Sequence, residues 1–305
     1  MLGLFPGVAL AALALVFSSE KRRIAITIDD LPFVSANALT DEEVRVRTEK
    51  LLGHLRRRSV PAIGFVNEGK VFEGQNEDPA RVALLDLWLE AGMELGNHTY
   101  SHLDLHSTPL PEFQEDVLRG EIVTRRLMAL RGSVPRYFRH PYLHTGREPE
   151  TKAVLEAFLA GRGYRVAPVT IDNYDYLFAR AYDAAGEGEK GGVLEAYLRY
   201  MTAVVEYYER QSRAIVGYEP PQIFLLHANS LNAVGLGRLF DVLVERGYTF
   251  VSLEEALRDP AFSLPDRYVG PGGITWLHRW AISRGLPKTT FAGEPEPGAF
   301  LPGLR

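Results

Sequence analysis

Ile24-Ala25-Ile26-Thr27-Ile28, followed directly by Asp29-Asp30, decides how the chain is read. Five mostly β-branched residues run without a charge and then stop at two carboxylates. A short run of this kind is a strand buried on both faces, as in a parallel sheet. A helical pattern follows from Asp41 to Arg58, with Asp41 near its N-terminus. The alternation then repeats down the chain. Ala62 to Val66 reads as a strand, and a helix follows from about Pro79, with proline in its first turn, to Ala91. Glu94 to Asn97 is a short third strand, Phe113 to Leu130 is helical, and Arg136 to Arg139 is strand-like. Next come a helix (Pro149 to Gly161), a strand (Arg165 to Ile171), a long helix (Val193 to Gln211) and an apolar strand (Ile223 to Leu226). A helix near Leu236 to Arg246 and a strand at Tyr248 to Val251 complete the pattern. Seven strands alternating with helices imply an α/β fold on a parallel sheet, as a barrel or a doubly wound sheet.

Composition narrows the function classes. The chain has 34 basic and 39 acidic side chains, a net charge of −5, and its arginines are scattered, so no basic stripe suits it to nucleic acid. Hydrophobic residues at 46% and charged residues at 24% fit a globular protein and exclude wholesale disorder. With no cysteine, disulfides, thiol nucleophiles and cysteine-held metals are excluded. Any metal must be held by histidine, carboxylate or water. No protein partner can be inferred.

Residues 1–17, MLGLFPGVALAALALVF, carry no charged side chain, and the apolar run from Val8 to Phe17 matches the core of a signal peptide. Residues 1–19 are therefore expected to be a signal peptide or an uncleaved N-terminal anchor. That places a catalytic domain of residues 20–258 outside the cytoplasm, secreted or periplasmic. Gly186 to Gly192 is a polar, glycine-rich tip between two helices. Residues 259–305, rich in Pro and Gly, read as a peripheral extension with one short helix near Ile274 to Ser283, and no chemistry is assigned to them.

In parallel α/β folds the loops at the C-terminal strand ends converge on one face, so reactive groups collect there. Five polar clusters fall at such places. The first strand ends in Asp29-Asp30. Neighbours on a strand point to opposite faces, so both carboxylates can serve one site only where the strand is ending. The third strand ends in Asn97-His98-Thr99-Tyr100-Ser101-His102, and the fourth runs on into Arg139-His140-Pro141-Tyr142. The fifth ends in Asp172-Asn173-Tyr174-Asp175-Tyr176, and a later apolar strand ends in His227. His98 and His102, four apart, would share one face of a helix, a spacing suited to two metal ligands. His106 would extend that face, but Pro109 follows soon after, and it reads as surface or as an outer support. Taken singly, each cluster has an ordinary structural reading: a turn or cap for the Asp pair, an ion pair for Arg139, a hydrogen-bonded histidine for His227.

Together they resemble a family. Thr27-Ile28-Asp29-Asp30, His98 to His102, Arg139 to Tyr142, Asp172 to Tyr176 and Leu225-Leu226-His227 stand in the order and spacing of the five motifs of polysaccharide deacetylases. This is the NodB-homology family, carbohydrate esterase family four, and the resemblance covers roughly Arg23 to Ser252. It implies a distorted (β/α) barrel of about seven parallel strands, a single catalytic domain holding one divalent metal in a groove. By motif it implies Asp30, His98 and His102 as metal ligands, Asp29 as general base and Arg139 as its orienting partner. His227 would be the general acid, tuned by Asp175, with Asp172 the lesser candidate for that part. Tyr142 and Tyr176 would bind substrate, Tyr176 standing where tryptophan is more usual. Three departures surround the groove: Leu31-Pro32 and Leu143-His144-Thr145-Gly146 each stand where a glycine is usual, and Leu177 to Gly192 is longer than a minimal barrel needs. They bear on the substrate more than on the ligand set.

The chemistry agrees with those roles. Two histidines and a carboxylate leave positions open for water and substrate. A metal lowers the pKa of bound water and polarises an amide carbonyl. Asp29, beside a cation and an arginine, should stay ionised and accept a proton. The leaving amine needs a proton from a cationic histidine, which a carboxylate such as Asp175 sustains. Backbone N–H groups near the His98 loop or Tyr142 are candidates for holding the oxyanion. Zinc is the expected ion, though the same donors accept cobalt, nickel, manganese or iron. The expected substrate is an N-acetylated amino sugar of a glycan, chitin-like or peptidoglycan. Two alternatives are an amidohydrolase or esterase acting on a non-carbohydrate amide or O-acetyl ester, and a catalytically silent glycan-binding module. Loss of a ligand or of His227 would have favoured the last, and neither is lost.

Overall fold

The strand expected at Ile24–Ile28 extends from Arg22 to Leu31 (β1) in the computed structural model, which describes residues 21–34 and 36–303. The expected leader lies outside the described residues. After β1 come α1 (Asp41–Arg57), β2 (Ile63–Val66), a small hairpin of β3 (Phe72–Glu73) and β4 (Asn76–Glu77), α2 (Pro79–Glu90) and β5 (Glu94–Asn97). Then follow α3 (Leu110–Arg119), α4 (Ile122–Ala129), β6 (Tyr137–Phe138), α5 (Pro149–Gly161), β7 (Arg165–Val166), α6 (Asp175–Ala184) and α7 (Lys190–Val216). The last elements are β8 (Gln222–His227), α8 (Ser230–Glu245), β9 (Tyr248–Phe250), α9 (Leu253–Ala256) and α10 (Trp276–Ser283). No helix among the described residues is long and apolar enough to cross a membrane.

The main sheet has the order β7-β6-β5-β2-β1-β8, with β9 also on β1, and every pairing is parallel. The segment after β7 draws its two ends together. Ala167 N–H donates to Phe138 O of β6 at 2.8 Å, while Leu225 N–H of β8 donates to Ile171 O at 3.1 Å. Ile171 also bridges Phe224 in parallel, so one stretch of chain touches both edges of the strand order. The sheet is thus curled into a distorted (β/α) barrel of seven parallel strands in a single domain, the fold expected from the sequence.

Alternation along β1 sorts its residues by face. Ile24, Ile26 and Ile28 lie in the main core under the helices. Ala25 faces inward among Ile63, Phe65, Tyr137, Ala167 and Ile223, over a floor supplied by Leu253 and Ala256 of α9. Thr27 and Asp29 continue that inward row toward the mouth, and Asp29 is the in-register partner of His227 on β8. The barrel interior therefore delivers a carboxylate and a histidine to the same rim.

Two expectations are corrected here. The helix expected over Phe113–Leu130 is two helices, α3 and α4, broken at Gly120. A Cβ on Gly120 would stand 2.4 Å from the carbonyl carbon of Thr99, so the helix gives way where it passes the histidine loop. The segment from 259 on, expected as a peripheral wrap, packs into the core instead. Trp276, Leu277, Trp280 and Ala281 of α10 are core residues, and Trp276 N–H donates to Val169 O at 2.7 Å. Its prolines and glycines mark turns rather than detachment.

Candidate active site

Asp30 would face away from Asp29 on a regular strand. Its backbone is left-handed, φ 69, and the β1–β2 register shifts between Ile28 and Leu31, which turns the second carboxylate to the same rim. The strand does not end there; it bulges. His98 and His102 also come together without the helix their spacing suggested. Residues 98–102 form a loop after β5 with Thr99 at φ 66 and His102 at φ 56. Side chains staple it: Asn97 Oδ1 accepts from Thr99 N–H (2.7 Å), Thr99 Oγ1 from His102 N–H (3.0 Å) and Asp116 Oδ2 from Ser101 N–H (2.9 Å). Asn67 Nδ2 donates to His98 O at 2.6 Å from the end of β2. These polar partners occupy the backbone groups that a helix would have used, which is why the helical reading fails.

One oxygen of Asp30, with one ring nitrogen each from His98 and His102, lies in a cluster no wider than 4.8 Å. Asp30 Oδ1 is 4.0 Å from His98 Nε2 and 3.7 Å from His102 Nε2. Donors on a tetrahedral zinc with bonds of about 2.0–2.2 Å sit roughly 3.3 Å apart, so Asp30 Oδ1 needs to close on each ring nitrogen by only tenths of an ångström. His98 Nδ1 bonds the carbonyl of Arg139 at 2.8 Å, which leaves Nε2 with its lone pair aimed into the cluster. Burial, then the neighbouring His102, holds the His98 ring well below its usual value and therefore neutral. Burial also lowers His102. Burial opposes ionisation of Asp30, but Lys70 and His102 outweigh it and keep the carboxyl well below the usual range. The residues present fit a single divalent cation.

Asp29 is 2% exposed beside this cluster. Arg139, wholly buried, donates from Nη1 to Asp29 Oδ2 (3.4 Å) and from Nη2 to Thr27 Oγ1 (3.0 Å), with its guanidinium 4.8 Å over the Phe65 ring. The other oxygen, Asp29 Oδ1, is buried with no partner. Burial pushes the Asp29 carboxyl up to about 6, against the pull of Arg139. It stays ionised near neutrality while being a stronger proton acceptor than an ordinary carboxylate.

In the same cleft His227 Nδ1 meets Asp175 Oδ1 at 2.6 Å. Asp175 Oδ2 also accepts from His227 N–H (2.9 Å), Asn229 Nδ2 (3.1 Å) and Asn232 Nδ2 (2.7 Å), and Asn232 Oδ1 is held by the Tyr197 hydroxyl at 2.6 Å. Burial works against a charged His227 ring, but Asp175 outweighs it and holds the imidazolium up to about 10. With Nδ1 engaged, Nε2 is the nitrogen left for the cleft. Asp172 lines the same cleft but makes its hydrogen bond to Asn173 N–H, and burial pushes it up to about 6.

The cleft encloses about 530 Å³. Tyr142 and Tyr176 both line it and are half-exposed; Tyr142 sits 4.6 Å from the His102 ring and Tyr176 6.1 Å from the His227 ring. Among the described residues, six non-glycine residues have positive φ, and five of them, Asp30, Thr99, His102, Tyr142 and Leu143, stand around this cleft. Each left-handed residue costs about 1–2 kcal/mol, so their gathering here is strain that a functional rim retains.

Asp104, His106 and His144 form a second group with the same donor types. It does not suit a metal. The rings of His106 and His144 are stacked, 3.8 Å apart and 9° from parallel, and a metal must lie in the plane of each ring that binds it. Two parallel planes cannot share it. The group is a latch instead: Asp104 Oδ1 meets His144 Nδ1 at 2.6 Å and Gly146 N–H donates to His106 Nε2 at 3.3 Å, joining the histidine loop to the Tyr142 loop.

Sequence reasoning passed over several residues of the site. Lys70, whose Nζ lies 3.4 Å from Asp30 Oδ1, follows the end of β2, where the strand-end rule would have found it. Asn229 and Asn232 are legible as a helix start, Asn229 Oδ1 accepting from Asn232 N–H at 2.8 Å, but nothing local to them announces Asp175.

At the C-terminal mouth of the parallel barrel, a carboxylate and two histidines thus share one cleft with Asp29 and His227. Residues 18–157 match the polysaccharide deacetylase family model, the family its motifs resemble. The chitin deacetylase of Colletotrichum lindemuthianum is 27% identical over 240 residues, 77% of this chain and 79% of that protein. A chitin deacetylase of Pestalotiopsis sp. is 30% identical over 152 residues, 50% of this chain and 43% of its own. The solved chitin deacetylase structure from the fungal pathogen C. lindemuthianum shares the fold, with a TM-score of 0.52, 23% identity, and coverage of 79% of this chain and 89% of that one.

Proposed function

We propose that the protein is a metal-dependent deacetylase that hydrolyses the acetamido group of N-acetylated amino sugars in a chitin-like glycan or peptidoglycan, outside the cytoplasm. The observation that carries this reading is the presence, in one cleft with a cation-sized donor cluster, of a buried carboxylate with a free oxygen, Asp29, and a carboxylate-held histidine, His227. Its kinship with chitin deacetylases supports the glycan, and the uncharged leader supports export.

Asp30, His98 and His102 would hold one divalent ion, zinc by preference, with cobalt, nickel or manganese as substitutes. When bound, such an ion acidifies water and polarises the carbonyl. Arg139 fixes Asp29 through Oδ2, so the unpartnered Oδ1 is the atom that accepts the proton of the attacking water. His227, kept cationic by Asp175, donates from Nε2 to the amine as the C–N bond breaks. Tyr142 and Tyr176 flank the cleft as apolar faces for the sugar ring.

The test is acetate release from N-acetylglucosamine oligomers and from peptidoglycan, with and without a chelator. Release that chelator stops and zinc restores is expected. Asp29→Asn should keep one equivalent of zinc and lose about 10²–10⁴-fold in kcat, the usual share of a general base; near-normal kcat would remove Asp29 from that role. If one equivalent of metal binds and no acetate appears, the glycan is the wrong substrate, and other amides and esters take its place.

A further inference from the structure

We propose that the C-terminal segment 266–279 forms a working wall of the cleft, with Arg279 and Gly273 as positioning residues for the Tyr142 loop. The proposal rests on reading the cleft as the deacetylase site. Arg279, on α10, is wholly buried. Its Nη2 donates to Leu143 O at 2.6 Å, its Nη1 to Thr145 Oγ1 at 2.7 Å and to Asp266 Oδ2 at 3.4 Å, and its Nε to Ile274 O at 2.9 Å. The guanidinium lies 4.4 Å from the Trp276 ring centre and 5.1 Å from that of Tyr268. Burying a charge this deeply is expensive unless every donor is used and something needs holding.

What it holds is a strained loop. Tyr142 and Leu143 are both left-handed, φ 56 and 54, and Arg279 grips the second of them and Thr145 just beyond. On the opposite side the same loop is latched to the histidine loop through His144 and Asp104. The two grips pin Tyr142 against His102 from outside the donor cluster. Gly273 makes an independent contact. A Cβ there would fall 1.7 Å from Tyr142 O, so the segment meets the Tyr142 backbone at a distance only glycine allows, and Gly273 itself lines the cleft. Neither residue touches Asp29, Asp30, His98, His102 or His227 in any of these contacts.

The test uses the zinc-loaded full chain with Gly273→Ala, and with Thr145→Val as a second variant that removes one Arg279 acceptor at constant volume. In Gly273→Ala, kcat/KM for acetate release from N-acetylglucosamine oligomers should fall about tenfold to 100-fold, the cost of misplacing a substrate contact by about an ångström. Zinc stoichiometry should hold, and Tm should fall only modestly, as the loop shifts to admit the methyl group. Amide hydrogen exchange should accelerate at residues 141–146 and be unchanged at 98–102. Thr145→Val should move both readouts the same way by a smaller factor. Unaltered exchange over 141–146 in both variants overturns the proposal, as does kcat/KM at the wild-type value in Gly273→Ala. A collapse of zinc binding or Tm in both variants also overturns it, because the segment would then be structural. If the wild-type protein releases no acetate, the functional reading fails, and the exchange result alone decides the positioning.

Discussion

Alanine at His98 should strip the protein of its divalent ion and stop turnover together. The expected loss of metal affinity exceeds the 10–100-fold typical of removing an outer partner of a ligand, because the donor itself is gone. Turnover should fall by about 10³-fold or more, beyond the cost of one oxyanion donor. His98 is the most constrained of the three donors: its ring is 2% exposed, its Nδ1 is tied to Arg139 O and its carbonyl to Asn67. His102, about a quarter exposed, should show the same direction of change. Metal content by mass spectrometry under native conditions and acetate release measure the two effects separately. Tight one-to-one zinc in either variant would remove that histidine from the ligand set.

Asp175→Asn should produce the second large change. Without the carboxylate, burial of His227 is opposed only by the weaker pull of Asp30 and Asp29, and the ring shifts toward its neutral form. The high-pH limb of the kcat/KM profile should move to lower pH, and the loss at alkaline pH should reach about 10²–10⁴-fold, the share of a general acid. Amide substrates, whose leaving amine must be protonated, should suffer more than activated acetate esters. The same residue makes a stability prediction of definite sign. The His227 ring is raised from 6.5 to about 10, so the imidazolium stabilises the fold fully below pH 6.5, and the benefit fades as pH rises through about 10. Asp175→Asn should flatten that alkaline slope in a denaturation series. An unmoved pH profile, with equal losses on amides and activated esters, would take the proton-donor role from His227.

Much of this was legible in the chain. The alternation of apolar strands and amphipathic helices gives the barrel because burial on both faces leaves a period that survives without tertiary knowledge. Strand ends located Asp29, Asp30, His98, Arg139, Asp175 and His227, since loops at one end of a parallel barrel must converge. What was not legible is how the local backbone delivers them. The His98–His102 spacing resembles a helix face, but Asn97, Thr99 and Asp116 take the loop's N–H groups, and a 15-residue separation hides Asp116 from any local reading. The bulge at Asp30 depends on a left-handed residue that sequence does not mark. The tail looked peripheral because Pro and Gly dominate it, while two decisive residues, Trp276 and Arg279, find partners more than 100 positions away.

The ladder between β1 and β8 has one more consequence. Asp29 and His227 are opposite rungs of that ladder, on strands about 4.8 Å apart. Their separation is set by main-chain bonds such as Ala228 N–H to Asp29 O at 3.0 Å, and not by any loop. The proposed proton acceptor and proton donor therefore keep a fixed gauge, whatever passes between them. Tyr142, Tyr176 and the segment around Gly273 lie on loops or helix ends and can be exchanged piece by piece without altering it. Such a molecule can change its diet over evolutionary time while its chemistry stands still. The one alteration it cannot absorb is a single-residue slip between these two strands, which would turn His227 out of the barrel mouth.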